Sequence, residues 1–249
     1  MDNSIMETFF SIDLTFHTSD EEAYVRLARH LLALKNGVED LGRRYTLGHS
    51  STDELISYPY PRSFSSTFDG KRTCIPFEYE MRLHGRRIYR ARCTAMGSIC
   101  VKFSRRYGVE VHRWCAARGI APQFMAIEEL QGGWYMVVME NLHGDWCNLD
   151  SLIYPHVGGL RATLQEYIKA LHAEKMVHGD IRDANIMVYE DKFMLLDFDW
   201  AGIVGEVYYP PLLNKNPRLG RPVDVEPGAL ILPEHDDFMI RLGQMPDMG

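Results

Sequence analysis

The sequence contains few cysteines, and none of them stands in a spacing that cysteine chemistry requires. There are five, an odd number, with no C-x-x-C pair among them. Neither a disulfide framework nor a cysteine-bound zinc ion is indicated, so we expect reduced thiols in a cytosolic or nuclear compartment. No segment approaches the ~18 uninterrupted apolar residues of a membrane span. Met1-Asp2-Asn3-Ser4 shows no signal-peptide character, and we expect no membrane partner.

An excess of positive charge is also lacking. The 249 residues include 27 Lys and Arg against 34 Asp and Glu, a formal net charge of −7, which argues against nucleic acid as the main partner. The hydrophobic content of 46% and the charged content of 24% are typical of a globular protein. This length allows one large domain or two small lobes around a sizeable core.

Serine and threonine are missing from the last third of the chain, since neither occurs after Thr163. Regulation by phosphorylation of a serine or threonine is therefore excluded in that part of the sequence. Tyrosines do remain there, Tyr208 and Tyr209 among them.

The first 75 residues differ in composition from the rest and predict an extension. A capping-box signature, Ser19-x-x-Glu22, precedes apolar residues at helical spacing, so we expect a helix from Ser19 to about Leu41. Residues 48–71 are rich in Ser, Thr, Pro and Tyr, which favours an irregular connector. Residues 1–75 are thus predicted to be a helical extension with a connector.

Residues 76–142 predict a small antiparallel sheet with one helix. Alternating segments rich in β-formers predict five strands, at 77–83, 87–94, 98–103, 126–129 and 134–140. A helix is expected over about 107–118, because Gly119 then stands where a helix end favours a left-handed residue. This region is the predicted first lobe.

Residues 143–249 predict a shorter, mainly helical second lobe. An apolar stripe at helical spacing runs from Leu160 to Leu171, and a hairpin is expected over 186–196. The chain beyond is rich in proline, and one helix, over about 236–242, is all that it predicts. The predicted fold class is therefore α+β, with a five-stranded antiparallel sheet and one helix preceding a truncated helical lobe.

The segment from His178 to Asn185, followed by Asp197-Phe198, carries the chemistry. Phosphoryl transfer needs a positioned nucleophile and cations that hold the phosphates, with little covalent help. Asp180 and Asn185, spaced D-x-x-x-x-N, put a carboxylate and an amide oxygen on one loop, and Asp197 follows after a hairpin. Hard oxygen ligands of this kind suit Mg²⁺. The pattern predicts phosphoryl transfer from ATP.

This constellation resembles the catalytic loop and the D-F-G segment of protein kinases. The resemblance covers about residues 76–240 and implies a bilobal kinase-like fold that binds ATP and Mg²⁺. By this resemblance, Asp180 would be the catalytic base, and Asn185 and Asp197 would bind the metal. The wording H-G-D-x-R-D-x-N-I-M-V and D-F-D-W-A-G is also similar to kinase-like proteins of mushroom-forming fungi.

The resemblance extends upstream to the expected nucleotide pocket. Residues 135–142 resemble the fifth strand and hinge, so Met139 would be the gatekeeper, and Glu140 and Leu142 would offer backbone groups to adenine. Cys100-Val101-Lys102-Phe103 resembles the V-A-I-K strand, which implies that Lys102 holds the α- and β-phosphates. Gly85 is what remains of a glycine-rich loop, and an ordinary hairpin turn is the alternative there.

Four further assignments from this resemblance are less direct. Glu110 would pair with Lys102, although it lies only eight residues further on, and a solvated glutamate is the alternative. Arg182 would lie near the γ-phosphate or be a surface arginine. Asp199 replaces the glycine of D-F-G and would contact metal or cap the next turn. Asp236 resembles an aspartate that hydrogen-bonds the backbone of the catalytic loop.

The acceptor is left open by the sequence. The resemblance implies a hydroxyl of a protein Ser, Thr or Tyr, but Gly179 replaces the arginine of H-R-D. H-G-D is the wording of aminoglycoside and choline phosphotransferases, which favours a small hydroxylated acceptor. The weak glycine loop and the short second lobe also allow a pseudokinase that binds nucleotide or acts as a scaffold. We expect the N-terminal helix, or a second copy of the chain in a homodimer, to cover apolar surface on the short lobe.

Overall fold

The computed structural model describes residues 21–46, 61–68, 71–83, 87–130, 132–142, 144–149, 158–211, 213–214, 219–222 and 225–242. The chain divides into two compact units, Met1–Leu55 and Ile56–Gly249. Each unit is described by itself below.

The first unit contains one long helix, α1, from Glu21 to Thr46. It confirms the predicted helix and extends it by about one turn beyond Leu41, while the capping residue Ser19 lies outside the described residues. Several apolar side chains on α1 are exposed: Tyr24, Val25, Leu31, Leu32, Leu34 and Val38. Whether α1 covers part of the second lobe stays a prediction.

The second unit begins with a six-stranded antiparallel sheet in the order β1-β2-β3-β4-β6-β5. Its strands are β1 Ser63–Phe68, β2 Lys71–Arg82, β3 Ile88–Cys93, β4 Gly97–Ser104, β5 Phe124–Leu130 and β6 Trp134–Glu140. The two edge strands approach each other, since the N–H of Ser65 in β1 donates to the carboxylate of Glu128 in β5. The sheet is therefore strongly curved, as the natural twist of antiparallel strands favours.

Strand β1 was not predicted, because its sequence, Ser-Phe-Ser-Ser-Thr-Phe, lies in the segment that predicted an irregular connector. It pairs with β2 over its whole length, and Phe64 is buried in the apolar core of the sheet. Polar composition predicted a loop, but serine and threonine alternate here with phenylalanine in the period-2 pattern of a half-buried strand. The sheet thus has six strands and not five.

A short helix, α2, follows β4 and spans Val109–Ala116. It joins the sheet to the second lobe, because Val111 and Cys115 belong to the apolar core of that lobe. The N–H of Gly108, just before α2, donates to the carbonyl of Phe198 at 2.8 Å. A Cβ atom at Gly108 would overlap the carbonyl of Ala201, so only glycine allows this close approach.

The second lobe combines two helices with short strands. The helices are α3 Gly158–Ala173 and α4 Pro233–Leu242; the strands are β7 Cys147–Asn148, β8 Met176–Val177, β9 Ile186–Tyr189, β10 Lys192–Leu195 and β11 Gly202–Ile203. The predicted hairpin is confirmed as β9 and β10, which lie in a three-stranded sheet with β7. The predicted stripe of α3 is confirmed, since Leu164, Ile168 and Leu171 are buried in the core.

The predicted α+β fold class is confirmed, with an antiparallel sheet and one helix preceding a part that contains few helices. The predicted boundaries at residues 75 and 142 remain predictions. Among the residues that the structure describes, no helix is long and apolar enough to cross a membrane.

Candidate active site

A cavity of about 170 Å³ lies where the sheet meets the second lobe. Its walls come from β3, β4, the segment after β6, and the region of β9 and Phe198; the lining residues include Ile88, Cys100, Lys102, Met139, Glu140, Leu142, Met187, Leu196 and Asp197. The structure therefore brings Met139, Glu140 and Leu142 together with Lys102, as predicted for a nucleotide pocket. The mostly apolar lining suits a flat heterocycle with few polar anchors.

Glu140 is fixed at the edge of this cavity by two contacts to Gln123. The backbone N–H of Glu140 donates to the carbonyl of Gln123 at 2.9 Å, and the N–H of Gln123 donates to the Glu140 carboxylate at 3.1 Å. The backbone N–H of Glu140 is therefore already used. Its carbonyl oxygen is the group that could meet a ligand in the cavity.

Lys102 stands on β4 and is buried, with 7% of its surface exposed. Alternation along the strand directs Val101 and Phe103 into the core of the sheet, so Lys102 lies on the face that lines the cavity. Its Nζ lies 2.6 Å from Oδ1 of Asp197 and 2.6 Å from Oδ1 of Asp199. Burial lowers the pKa of Lys102, but the two carboxylates outweigh burial and leave this pKa raised.

The predicted ion pair between Lys102 and Glu110 was wrong. Glu110 is exposed in the first turn of α2, whereas Lys102 is paired to Asp197 and Asp199. The buried face of α2 carries Val111, His112 and Cys115, and Glu110 lies off that face. Only four residues separate β4 from α2, and the second residue of α2, Glu110, points to solvent.

Asp199 makes an ion pair with Lys102, the contact that was predicted for Glu110. The sequence left it as a metal ligand or a cap of the next turn, and the structure places its carboxylate on the Lys102 ammonium. Burial raises the pKa of Asp199 despite the nearby Lys102 cation. Asp197, two residues earlier, is a non-glycine residue with a left-handed φ of 68°, a strained conformation that is common at functional sites.

Asp236 of α4 binds the backbone of the segment that begins at His178, as the resemblance predicted. The buried Asp236 carboxylate accepts hydrogen bonds from the backbone N–H groups of His178 and Gly179, both at 2.8 Å. Gly179 has a φ of +83°, and a Cβ there would crowd Ile231 and Trp200. The glycine that replaces arginine in H-R-D is therefore required by the backbone.

Asp180 is nearly enclosed by donors. Arg182 contacts both of its carboxylate oxygens, at 2.8 and 2.9 Å, and the Asn185 amide donates to Oδ2 at 2.9 Å. Nη2 of Arg221 donates to Oδ1 at 2.8 Å. Arg182 is thus bound to Asp180, and the alternative of a surface arginine was wrong. Arg221 was missed, because it lies 41 residues further on in a proline-rich segment with no recognisable pattern.

Asn185 has the features of a metal ligand. Its side chain is fully buried, its amide nitrogen donates to Asp180, and its Oδ1 has no hydrogen-bond partner among the described residues. An orphaned buried acceptor of this kind fits a hard cation such as Mg²⁺. Within the described residues, no cluster of three or more His, Cys, Asp or Glu could hold a metal ion. A cation here would therefore need further ligands from a bound phosphate.

Three aromatic rings connect α2 to the site, a feature that the sequence did not reveal. The ring of His112 stacks on Phe198 at 4.5 Å, and His178 meets the same ring edge-on at 5.0 Å. Nδ1 of His112 lies 2.8 Å from the Tyr107 hydroxyl, and Nε2 lies 2.7 Å from the carbonyl of Pro122. Burial lowers the pKa of His112 to about 4, so the ring is neutral and accepts from Tyr107 while it donates to Pro122.

Gly85, predicted to approach the phosphates, lies outside the described residues. A larger open hollow of about 620 Å³ occurs beside β2 and β3, and its charged residues pair with each other, since Glu80 contacts Arg90 and Arg92. It contains none of the predicted site residues.

No protein-family model matches the sequence, and no curated protein matches it. Solved structures do, with 822 matching chains. Three of these are the kinase PK-1 of Cydia pomonella granulovirus (13% identity, TM-score 0.43, covering 55% of this chain and 58% of that one), vaccinia related kinase 3 (18%, 0.45, 77% and 68%) and the yeast RNA polymerase II CTD kinase complex CTDK-1 (18%, 0.36, 54% and 53%). The chain thus spans less than two thirds of the first and third of these. With TM-scores below 0.5 these are similarities only, and the fold rests on the strand order and contacts described above.

Proposed function

We propose that this chain is an ATP- and Mg²⁺-dependent phosphotransferase that transfers the γ-phosphate of ATP to a hydroxyl acceptor. The proposal rests on one observation above all. Lys102 and Asp197, which are 95 residues apart in sequence, meet at the cavity. Asn185, whose carbonyl accepts from the N–H of Leu196 in the cavity wall, keeps a buried Oδ1 without a hydrogen-bond partner among the described residues. A buried unpaired acceptor beside this ion pair fits a cation that binds with the nucleotide.

In this proposal the cavity holds the adenine. Met139 and Leu142 form apolar walls, and the carbonyl of Glu140 accepts a hydrogen bond from the base. Lys102 binds the α- and β-phosphates, and its two carboxylate partners keep it charged and aligned. A bound Mg²⁺, held by Asn185 and Asp197 together with phosphate oxygens, would neutralise the charge of the transferred group.

Asp180 is the catalytic base in this proposal. It accepts the proton of the acceptor hydroxyl as the acceptor oxygen bonds to the γ-phosphorus and ADP leaves with the bridging oxygen. Asn185 and Arg182 hold the carboxylate of Asp180 in place. Whether the acceptor is a protein side chain or a small molecule is not decided by these residues alone.

Two measurements test the proposal. Mg²⁺-ATP should raise the melting temperature of the protein by mass action, and ADP should be released on incubation with acceptor. Asp180→Asn should lower ADP release by about 10²- to 10⁴-fold, the usual contribution of a general base, and leave the thermal shift in place. Absence of any thermal shift at millimolar Mg²⁺-ATP would remove the proposal.

A pseudokinase is the second candidate, and a specific observation favours it. The Asp180 carboxylate already accepts three hydrogen bonds, from Arg182, Asn185 and Arg221. A nucleotide-binding scaffold would show the thermal shift but no ADP release with any acceptor, and Asp180→Asn would then change nothing.

A further inference from the structure

Both oxygens of the Asp180 carboxylate are crowded by nitrogen atoms of other side chains. A carboxylate offers about four lone-pair sites. Oδ1 accepts from Arg221 and also lies 2.8 Å from Nε of Arg182, which makes no hydrogen bond within the described part of the chain, and Oδ2 accepts from Arg182 and Asn185 at 2.9 Å. An acceptor hydroxyl can approach either oxygen only if one of these side chains moves aside. Arg221 is the one donor of the three that does not belong to the catalytic loop.

Arg221 is held firmly even without Asp180. Its side chain is 9% exposed, its guanidinium lies 4.8 Å from the centre of the Trp200 ring, and Nη1 donates to the carbonyl of Asn214 at 2.9 Å. Nε is buried and has no hydrogen-bond partner among the described residues. If Nη2 releases Asp180, the edge formed by Nε and Nη2 becomes available as a pair of parallel donors.

Release of Asp180 would take from the buried Arg221 cation the carboxylate that pairs with it among the described residues. In the part of the chain that the structure describes, the other aspartates of this segment already have cationic partners, because Asp183 is bound by Arg161 at 2.7 and 2.8 Å, and Asp197 and Asp199 are bound by Lys102. A buried cation without an anion is strongly unfavourable. An acceptor that supplies only a hydroxyl therefore cannot compensate for the lost contact.

We infer that Arg221 determines acceptor specificity: the acceptor carries a carboxylate or phosphate beside its hydroxyl, and this anion takes Arg221 from Asp180. The inference deepens the proposed phosphotransferase function and rests on it. The Nε and Nη2 edge of an arginine matches the two oxygens of a carboxylate or phosphate. Binding of the anion and exposure of the base are thus one event. A neutral acceptor leaves Asp180 covered.

The experiment uses matched acceptors with the full-length protein and Mg²⁺-ATP. Glycerate is compared with glycerol, and a serine peptide flanked by glutamates is compared with the same peptide flanked by glutamines. Small-molecule and peptide arms separate the two sources of the anion. In the wild type, kcat/KM should be about 10- to 100-fold higher for the anionic member of the productive pair, the size expected for hydrogen bonds to a charged group.

Arg221→Gln is the test variant and Arg118→Gln its control. Arg118 also lies over a tryptophan, Trp114, and also donates Nη1 to a backbone carbonyl, but it is on the surface beyond α2. Arg221→Gln should abolish the preference for the anionic acceptor and raise ADP release without acceptor by about 10-fold, because water then reaches Asp180. Arg221→Lys, which keeps the charge but not the paired donors, should restore part of the preference. Arg118→Gln should change neither quantity.

The outcomes separate the two proposals. Equal ADP release by wild type and Arg221→Gln, with or without an anionic acceptor, overturns the role of Arg221 while the thermal shift by Mg²⁺-ATP still supports nucleotide binding. A neutral acceptor that is used as well as its anionic counterpart overturns it too. If Mg²⁺-ATP does not raise the melting temperature of the wild type, the proposed phosphotransferase function is wrong, and the inference about Arg221 is wrong with it.

Discussion

At the scale of single residues, Lys102 is the point where sequence and structure differ most. The sequence predicted a glutamate on the following helix as its partner, but two aspartates of the segment after β10 bind it instead. Asp199 stands where the D-F-G pattern has glycine, and it binds Lys102. Glu110, only eight residues after Lys102, is exposed and does not bind it. The carboxylates that bind Lys102 thus come from the segment after β10 and not from helix α2.

This arrangement predicts opposite outcomes for two conservative substitutions. Asp199→Asn should raise the KM for ATP about 10-fold, because a buried hydrogen-bonded charge partner of Lys102 is lost. Glu110→Gln should change the KM by less than about 2-fold, as expected for an exposed carboxylate. Steady-state ADP release at varied ATP concentration measures both. A larger increase of the KM for ATP in Glu110→Gln than in Asp199→Asn would favour the ion pair of Lys102 with Glu110 that the sequence predicted.

Gly179 illustrates a substitution whose meaning is visible only in the structure. The sequence took the absence of arginine at this position as a sign of the acceptor class. The φ of +83° and the nearness of Ile231 and Trp200 show that a side chain would be strained here. The glycine thus carries a local structural requirement, which is independent of any acceptor.

Gly179→Ala should lower the free energy of unfolding by at least about 1–2 kcal/mol, the cost of a left-handed conformation for an L-residue. Gly159→Ala is the matched control, because Gly159 lies in the first turn of α3 with no atom within 4 Å of a Cβ. That substitution should be neutral or slightly stabilising. Urea denaturation of the two variants gives the comparison, and equal stabilities would contradict the argument.

At the scale of secondary-structure elements, strongly periodic segments were predictable and irregular ones were not. The stripe of α3 and strands β4 and β6 follow from hydrophobic spacing, because core packing imposes that spacing. β1 was missed because serine and threonine serve equally in loops and on the polar face of a strand. Arg221 was missed because its partner, Asp180, is brought to it by tertiary contacts that no local pattern encodes.

The packing of α2 on Phe198 makes stability depend on pH. His112 has a folded-state pKa of about 4 because of burial, below its unfolded value near 6.5. As the pH falls, the unfolded state binds a proton first, so stability is lost between about pH 6.5 and pH 4. This single group should cost about 2 kcal/mol between pH 7 and pH 5.

His112→Gln removes this titration while an amide can still bond to Tyr107 and Pro122. Its free energy of unfolding should therefore fall less between pH 7 and pH 5 than that of the wild type, although the buried His178 titrates in both proteins. Denaturant melts at the two pH values measure the difference. A loss of the same size in both proteins would show that His112 does not carry the effect.

At the scale of the whole molecule, the part of the chain before the predicted first lobe contributes two unlike elements. α1 belongs to one compact unit, and β1 belongs to the sheet of the other. The sequence predicted residues 1–75 as a helical extension with an irregular connector, and predicted that the helix or a second copy of the chain covers apolar surface of the short lobe. The structure separates these contributions, because β1 completes the sheet through Phe64 and the contact of Ser65 with Glu128.

Two deletions distinguish the contributions of α1 and β1. Removal of residues 1–55 leaves all six strands in place, so we expect a cooperative thermal unfolding transition. Removal of residues 1–70 also takes away β1, exposes the edge of β2 and deletes the buried Phe64, a loss comparable to a Phe→Ala substitution in a core, about 3–5 kcal/mol. That protein should unfold without cooperativity or aggregate. Phe64→Ala in the full chain should lower stability by a similar amount without any truncation.

If removal of residues 1–55 alone produced a molten or aggregated protein, the loss of β1 would not explain the loss of stability. α1 would then be the element that covers apolar surface, as the sequence predicted.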